Sequence, residues 1–296
     1  MRSLSASSHV RWRPLDGRRS AWNKRPMPET LATYTHGHHA SVVTQHRKRT
    51  AAEAARFLLP HLRPGMRVLD VGCGPGSITV GLAEAVAPGP VLGIDLASDD
   101  VLASGRQAAA DKGLGNVRFE RADLFALQHP GGFDVVFAHQ VLQHLARPIE
   151  ALLAMRRLLG PGGIVAVRDS DYGTSTWNPP DARLQRWLEI YHAIAARNGG
   201  EADAGRYLYG WLHAAGFADV SLSGTTWTFP GYDSVEGWAS SWAERTTRSN
   251  LAVKAVEYAI ASAAELEAIA EGFRQWSRNP AAFFSIGHVE ALARVA

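Results

Sequence analysis

The sequence predicts an α/β protein whose core is a doubly wound, mostly parallel seven-stranded sheet. Short apolar runs alternate with helical periodicity between residues 49 and 170, which is typical of parallel βαβ units. The first apolar run, at 66–71, breaks into a glycine-rich turn at 72–76 before a helix begins. Two further strand-like segments, at 219–229 and 282–288, lie beyond this region and bring the number of predicted strands to seven.

The predicted elements follow one another in a regular order. The strands of the first region are 66–71, 90–95, 117–121, 133–138 and 163–169. The helices there are 50–59, 77–86, 98–112, 148–159 and a short one near 141–146. Beyond them, 181–215 is predicted as two helices and 232–278 as a helical insertion between strands 6 and 7. Because right-handed crossovers connect parallel strands, a doubly wound sheet is the economical topology.

Composition excludes several classes of protein. The chain has 296 residues, 46% of them hydrophobic, which is enough to bury a large core. We expect no membrane partner because no run of about 18 apolar residues occurs. The single cysteine, Cys73, excludes a disulfide framework and a four-thiolate zinc site.

The first 28 residues differ in charge from the rest of the chain. They hold seven Lys or Arg against one acid, Asp16, so that the remainder has 24 basic and 27 acidic residues. Because proteins that bind nucleic acids carry their basic excess on the folded surface, we expect no nucleic-acid partner. This composition also suits an organellar transit peptide, but we favour a disordered extension. We expect residues 29–296 to form one domain, and we expect the protein to be a cytoplasmic monomer or homodimer.

The glycine-rich turn, Gly-Cys-Gly-Pro-Gly at 72–76, predicts the approach of a nucleotide-like ligand. Glycine has no side chain to hold a ligand away from the backbone. Asp95 ends the next apolar run, 23 residues after Gly72, where a carboxylate can accept both hydroxyls of a ribose. The competing dinucleotide motif G-x-G-x-x-G does not fit, because the third glycine comes too early and Pro75 lacks an N–H group for a pyrophosphate.

Suitable groups follow each of the five predicted parallel strands. Asp70 and the glycine turn follow the first, and Asp95 the second. The other three are followed by Asp123-Leu124, by His139-Gln140, and by the segment 169–172. Since the carboxyl ends of parallel strands share one edge of a sheet, these groups predict a single ligand site.

The runs Asp-Val-Gly-Cys-Gly-Pro-Gly at 70–76 and His-Gln-Val-Leu-Gln-His-Leu at 139–145 closely resemble class I S-adenosylmethionine (SAM) methyltransferases, nearest their ubiquinone/menaquinone-type branch. The resemblance covers roughly residues 30–230. It implies a Rossmann-like fold, SAM as cofactor and S-adenosyl-L-homocysteine as product. In that resemblance Asp95 holds the ribose, Asp123 the adenine, and the backbone near His139 the methionine end. The implied cofactor-binding residues are Asp70, Gly72, Cys73, Gly74, Gly76, Asp95, Leu96, Ala122, Asp123, Leu124, His139 and Gln140.

The same resemblance divides the domain into an N-terminal helical lid at 29–64, a cofactor-binding core at 65–170 and an acceptor-binding part at 171–296. The segment 34–43 looks like the lid of bacterial small-molecule members, with Tyr34 and His38 facing the site. Candidate catalytic residues are Tyr34, His38, His144 and Asp171, and His144 could equally cap its short helix. We expect no metal, because the histidines at 36, 38 and 39 have no carboxylate cluster beside them.

Aromatic residues concentrate in the C-terminal half, which holds seven of the nine tryptophans. Aromatic surfaces suit a flat apolar acceptor and a sulfonium, although most of these rings are expected in the core. The candidate substrate-binding residues are Tyr172, Trp177, Asn178 and Trp238. The run Asn-Pro-Pro-Asp at 178–181 resembles an amino-methyltransferase motif. It lies after the wrong strand and ends in Asp181, so we interpret it as the start of a helix.

The acceptor itself is predicted from resemblance alone. The lid segment, the run at 139–144 and Arg-Asp-Ser-Asp-Tyr at 168–172 look similar to actinobacterial natural-product methyltransferases that methylate indole C3 of tryptophan-derived compounds such as cyclic dipeptides. We therefore expect a small aromatic acceptor. The alternatives are a quinone or phenol C- or O-methyltransferase and, in another class, an inactive SAM-binding scaffold that regulates a partner enzyme.

Overall fold

A computed structural model describes residues 46–295 of the chain. The strands are β1 (Val68–Val71), β2 (Val91–Asp95), β3 (Val117–Arg121), β4 (Phe133–His139), β5 (Leu159–Asn178), β6 (Asp219–Pro230) and β7 (Phe283–Arg294). They form a seven-stranded sheet in the order β3-β2-β1-β4-β5-β7-β6. Strands β1 to β5 are parallel, and β7 runs antiparallel to both β5 and β6. This confirms the predicted doubly wound, mostly parallel sheet.

Helices cover both faces of the sheet. In chain order they are α1 (Ala51–Ala54), α2 (Ser77–Val86), α3 (Asp99–Asp111), α4 (Pro148–Leu158), α5 (Ala182–Arg197), α6 (Leu208–Ala214), α7 (Gly231–Arg248), α8 (Asn250–Glu257) and α9 (Ala263–Ser277). Short 3₁₀ turns lie at Leu59–His61, Leu142–His144 and Ala204–Tyr207. Helices α7 to α9 form the predicted helical insertion between β6 and β7. No helix among residues 46–295 is both long and apolar enough to cross a bilayer.

The start of α5 explains the Asn-Pro-Pro-Asp run. Asp181 is the N-cap of this helix, and its side chain accepts a hydrogen bond from the backbone N–H of Arg183 at 2.8 Å. Such a cap satisfies one of the N–H groups that the first turn of a helix leaves without a partner. The run is therefore a helix start, as its position after strand 5 predicted.

Three predicted boundaries are wrong. The helix expected over 50–59 is only the four residues of α1, followed by a 3₁₀ turn around Pro60, because the residue before a proline disfavours helical backbone. Strand β5 continues nine residues beyond its expected end at 169, and β7 continues six residues beyond 288. The extension of β5 pairs with residues 283–288 of β7, and the extension of β7 pairs with residues 164–169 of β5; a pairing partner so distant in the chain is not visible in the local apolar pattern.

Two apolar cores lie on one face of the sheet, one after the other along the strands. The first packs α1 and α2 against Phe137 of β4 and Ala166 of β5. The second is aromatic and packs α5 and α7 to α9 against Tyr172 of β5 and Phe284 of β7. Successive side chains of a strand alternate between faces, so residues between these two cores at even spacing lie on the same face. The boundary between the two cores coincides with the carboxyl ends of the parallel strands.

Candidate functional site

The strand order brings the predicted cofactor residues to one edge of the sheet. Strand β1 lies between β2 and β4. The connection from β1 leads to β2 on one side of it, and the connection from β4 leads to β5 on the other side, so the strand order reverses between β1 and β4. The crevice outside the carboxyl ends of such strands is where doubly wound sheets bind ligands. The predicted residues of the turn at 72–76, of 95–96, of 122–124 and of 139–140 follow β1, β2, β3 and β4 respectively. All of them therefore lie along the same crevice.

The glycine turn leaves an open cradle at its middle residue. Gly72, Gly74 and Gly76 all have positive φ, at 72°, 52° and 79°. A Cβ on Gly76 would lie 2.5 Å from the ring of Phe119, so this glycine serves close packing. A Cβ on Gly74, in contrast, would meet nothing within 4 Å among the residues that the structure describes. The backbone around Gly74 thus borders open space that a ligand can fill.

Asp95 is held at this cradle by the backbone. One carboxylate oxygen accepts the N–H of Gly74 at 2.7 Å, and the other accepts the N–H of Ala97 at 2.8 Å. Each oxygen keeps capacity for a further hydrogen bond, which suits the two hydroxyls of a ribose. The next side chain, Leu96, is 62% exposed and offers an apolar surface beside the carboxylate. The residues present therefore fit the adenosine part of SAM.

Asp70 and Cys73, at the end of the first strand and in the glycine turn, have buried side chains. Asp70 is 2% exposed and accepts the hydroxyl of Thr79 at 2.6 Å. Burial raises the pKa of Asp70 to about 7, and the nearby charge of Asp95 adds to the effect. Burial also raises the pKa of the Cys73 thiol, which makes a nucleophilic role unsuitable.

The raised pKa of Asp70 predicts how stability depends on pH. Between the ordinary value of 3.8 and about 7, the folded protein binds the proton that the unfolded chain releases. The contribution of this group to the free energy of unfolding is therefore largest below pH 3.8 and falls as the pH rises to about 7. We expect Asp70→Asn to remove this slope, which amounts to on the order of 1 kcal/mol per pH unit at most. Urea unfolding of both proteins between pH 4.5 and 8 (roughly the useful range) measures it.

We expect Asp169→Asn to remove a pH dependence of the free energy of unfolding of the same sign, because burial also raises the pKa of Asp169 to about 7. A difference between wild type and Asp70→Asn that stays constant across the pH range would contradict the assignment.

A band of buried polar side chains crosses three strands between the two apolar cores. His139 of β4 pairs in register with Arg168 of β5, which pairs with Glu290 of β7. Arg168 Nε donates to Glu290 Oε1 at 3.1 Å, and both side chains are almost fully buried. His288 lies two residues before Glu290 on the same face of β7, and its Nε2 is 2.9 Å from the side-chain nitrogen of Gln140. We call His139, Arg168, His288 and Glu290 the polar band.

Trp227 of β6 borders the polar band. Its ring centroid lies 4.2 Å from that of His288 and 6.1 Å from that of His139. The guanidinium groups of Arg168 and Arg49 lie 5.0 Å and 5.2 Å from the same ring. The band and its border were missed by the sequence analysis as a site. Their members are scattered from residue 49 to 290, and only Arg168, His139 and Gln140 belonged to a motif.

The end of the expected lid reaches across the same crevice. The carbonyl of His46 accepts the hydroxyl of Ser77, at the start of α2, at 2.9 Å. Arg47 donates to Ser104 of α3 at 2.6 Å, whereas Arg49 reaches Trp227 on β6. Residues 46–49 therefore contact both sides of the carboxyl edge. Tyr34 and His38 lie outside the described residues, and their roles stay predictions.

The surroundings of Asp171 and His144, the two other candidate catalytic residues, do not favour a role as general base. Both carboxylate oxygens of Asp171 accept N–H groups of Arg206, at 2.7 and 2.5 Å, so this carboxylate is committed to an ion pair. Burial and the charge of Arg49 lower the pKa of His144 to about 3. His144 Nε2 also lies 3.0 Å from the amide nitrogen of Gln143, within the 3₁₀ turn. A structural role in this turn therefore fits His144 better than proton removal near neutral pH.

The four expected substrate residues are not all alike in their surroundings. Tyr172 and Trp238 belong to the aromatic core, where Tyr172 contacts Tyr191 and Trp238 stacks on Phe284 with centroids 3.7 Å apart. Trp177 is half-buried beside that core. Asn178 is exposed and donates to the carbonyl of Ala281 at 3.2 Å. Tyr172 and Trp238 therefore pack in the core, whereas Trp227 lies beside the polar band.

Metal ligation was not expected, and the structure offers no site for it in the part that it describes. Between residues 46 and 295, no three His, Cys, Asp or Glu side chains are grouped as a metal ion would require. The histidines at 36, 38 and 39 lie outside this range.

Comparison with known proteins agrees with the resemblance to methyltransferases that the sequence shows. A family model described as "Methyltransferase domain" matches residues 62–216. An uncharacterized methyltransferase of Schizosaccharomyces pombe is 29% identical over 232 residues, which is 75% of this chain and 83% of that protein. "Probable methyltransferase ltbC" of Aspergillus luteorubrus is 38% identical over 147 residues, 46% of this chain and 51% of that protein. A ubiquinone/menaquinone biosynthesis C-methyltransferase of Azotobacter vinelandii is 34% identical over 158 residues, 51% and 60% of the two chains. The chain thus spans about half to three fifths of the last two relatives.

Solved structures share the fold at low sequence identity. The [4+2]-cyclase SpnF superimposes with a TM-score of 0.51 and 22% identity, covering 84% of each chain. The YcgJ protein of Bacillus subtilis does so with a TM-score of 0.51 and 19% identity, covering 81% of this chain and 97% of the other. At such identities the likeness concerns the fold alone.

Proposed function

This chain belongs to the family of SAM-dependent methyltransferases, and from that premise we propose that it methylates a small aromatic molecule of specialised metabolism. The best specific candidate is indole C3 of a tryptophan-derived compound such as a cyclic dipeptide. The observation that carries the aromatic acceptor is Trp227, a half-buried ring beside the carboxyl end of β4 and the middle of β5 with two guanidinium groups around it. A flat acceptor can stack on such a ring.

The surrounding side chains suit an acceptor that needs no base. Burial and nearby positive charge lower the pKa of His139 well below 6.5 and that of His288 to about 2. His139, His288 and the ion-paired Asp171 supply no base matched to neutral pH. Burial raises the pKa of Asp70 and Asp169 to about 7, but these carboxylates accept the hydroxyl of Thr79 and the backbone N–H of Gln143 within the fold. SAM supplies an electrophilic methyl group when bound. An electron-rich carbon such as indole C3 provides its own electron pair, so the protein contributes mainly position and exclusion of water.

Two alternatives remain as proposals. A quinone or phenol C- or O-methyltransferase is supported by the similarity to a ubiquinone/menaquinone biosynthesis C-methyltransferase. An inactive SAM-binding scaffold is the alternative of another class. The open cradle at Gly74 and the fixed carboxylate of Asp95 would serve either function equally.

Mass spectrometry of methyl transfer distinguishes these functions. The protein would be incubated with SAM and a panel of tryptophan-containing cyclic dipeptides, simple indoles and quinols. We expect the indole compounds to gain one CH₂ and to lose the ultraviolet absorption of an aromatic indole. Transfer to quinols alone would support the first alternative. Binding of SAM without transfer to any member of the panel would support the scaffold.

A further inference from the structure

The polar band contains a hydrogen-bond donor whose direction the network determines. Arg168 Nη1 lies 3.5 Å from His139 Nδ1, and a guanidinium can only donate. His139 Nδ1 therefore presents its lone pair to Arg168. Since His139 is neutral, its proton resides on the other nitrogen, Nε2. The side chain is 6% exposed, and Nε2 has no hydrogen-bond partner among residues 46–295.

The rest of the network holds Arg168 in the place where it orients His139. Arg168 donates through Nε to Glu290 and through Nη2 to Thr225 Oγ1 at 3.0 Å. Glu290 also accepts the hydroxyls of Ser223 and Thr225, at 2.8 and 2.6 Å. The carboxylate and the guanidinium are thus satisfied by residues of three strands. A buried donor without a partner costs free energy, which a ligand oxygen that accepts its hydrogen bond would recover.

The surroundings of this donor select against positive charge. Arg49 and Arg168 both disfavour the protonated form of His139 and of His288. A ligand ammonium placed between these residues would meet the same repulsion. An oxygen with lone pairs would instead meet a donor, and the plane that carries this oxygen could lie along Trp227, whose ring is 6.1 Å from that of His139.

We propose that His139 determines acceptor specificity by donating its Nε2–H to an oxygen on the acceptor, so that the enzyme selects flat acceptors with a carbonyl or anionic oxygen over those with an ammonium. This inference rests on the proposed function and specifies the class of its acceptor. It applies to the amide carbonyls of a cyclic dipeptide and to the oxygens of a quinone or phenolate alike. Arg168 and Glu290 act on the acceptor only through His139 and are positioning residues.

Binding of two matched probes tests the proposal without requiring turnover. Indole-3-acetamide and tryptamine share one ring system, but the first carries a carbonyl and the second an ammonium at neutral pH. Each would be titrated calorimetrically into the protein saturated with S-adenosylhomocysteine. We expect the wild type to bind indole-3-acetamide at least about tenfold more tightly than tryptamine, because the carbonyl accepts a hydrogen bond from His139 and the ammonium cannot.

Two variants of His139 separate the donor from simple packing. His139→Phe keeps a ring but removes the donor, and we expect it to bind both probes with affinities within about twofold. His139→Gln places an amide N–H near the position of Nε2, and we expect it to keep most of the preference. Circular dichroism and urea unfolding show whether both variants are folded, and the preference is a ratio of two affinities measured on the same protein, so that a change in cofactor affinity does not enter it.

Three results would overturn the proposal. Tryptamine could bind the wild type as tightly as indole-3-acetamide, or neither probe could bind. Alternatively, His139→Phe could weaken S-adenosylhomocysteine binding and leave the preference between probes intact, in which case the donor serves the cofactor. Failure of the proposed function is distinguishable from these, because it shows as missing methyl transfer even where the wild type prefers indole-3-acetamide.

Discussion

Replacing Asp95 by alanine is expected to weaken binding of SAM and S-adenosylhomocysteine by about a hundredfold or more, which corresponds to roughly 3 kcal/mol. Two effects add. The variant loses the carboxylate that we propose as the acceptor of the ribose hydroxyls, and it also releases the backbone N–H groups of Gly74 and Ala97 that the carboxylate holds at 2.7 and 2.8 Å. The cradle therefore loses both a ligand contact and its fixed shape. Isothermal titration calorimetry of wild type and variant measures the effect.

Asp123→Ala is the matched control for this prediction. Asp123 also follows a strand of the same edge, and its Oδ1 accepts the N–H of Phe125 at 2.9 Å. It carries no bond to the glycine turn among those that the structure shows for it. We expect a loss of about tenfold, as for one hydrogen bond to the adenine. Equal affinities of wild type and Asp95→Ala would show that the ribose does not bind at Asp95.

Replacing Glu290 by alanine is expected to lower the free energy of unfolding by about 3–5 kcal/mol. The substitution leaves the Arg168 guanidinium, which is 1% exposed, without its carboxylate. It also removes the acceptor of the Ser223 and Thr225 hydroxyls. A buried charge without a partner is among the costliest defects of a protein interior. Urea denaturation at neutral pH measures the loss.

Two further variants show whether burial is the cause. Glu84→Ala removes the partner of Lys112 in an ion pair of the same kind at 2.7 Å, but both side chains are about half exposed. We expect it to cost less than about 1 kcal/mol. The double substitution Arg168→Met with Glu290→Leu removes both charges, and we expect it to restore much of the stability. If Glu290→Ala costs no more than Glu84→Ala, the buried pair does not contribute as described.

The parallel half of the fold could be predicted from local sequence because each element carries its own signal. The strand at 117–121 and the helix at 77–86 have the bounds that the sequence predicted. The glycine turn and Asp95 were also visible, since their chemistry is encoded within single strand–turn–helix units. Their convergence on one edge follows from the right-handed crossovers of a parallel sheet.

The polar band and Trp227 could not be predicted in the same way, because pairing between distant strands brings their residues together. Arg168 and Glu290 lie 122 residues apart and meet only because β7 runs antiparallel between β5 and β6. Trp227 was one of several tryptophans without a distinguishing neighbour in sequence. Tyr172 and Trp238 were favoured by position, yet they pack in the aromatic core. Counting aromatic residues indicates a core and a pocket equally.

Hydrogen–deuterium exchange with and without S-adenosylhomocysteine tests the central claim, that the cofactor binds at the carboxyl edge of the sheet. We expect slower exchange at 72–77, 95–97, 122–125 and 139–141, which follow the four adjacent strands β1 to β4. We expect no change at 113–116 and 128–131, which precede β3 and β4 at the opposite edge. Protection confined to the opposite edge, or no protection at 72–77 despite measurable binding, would contradict the account.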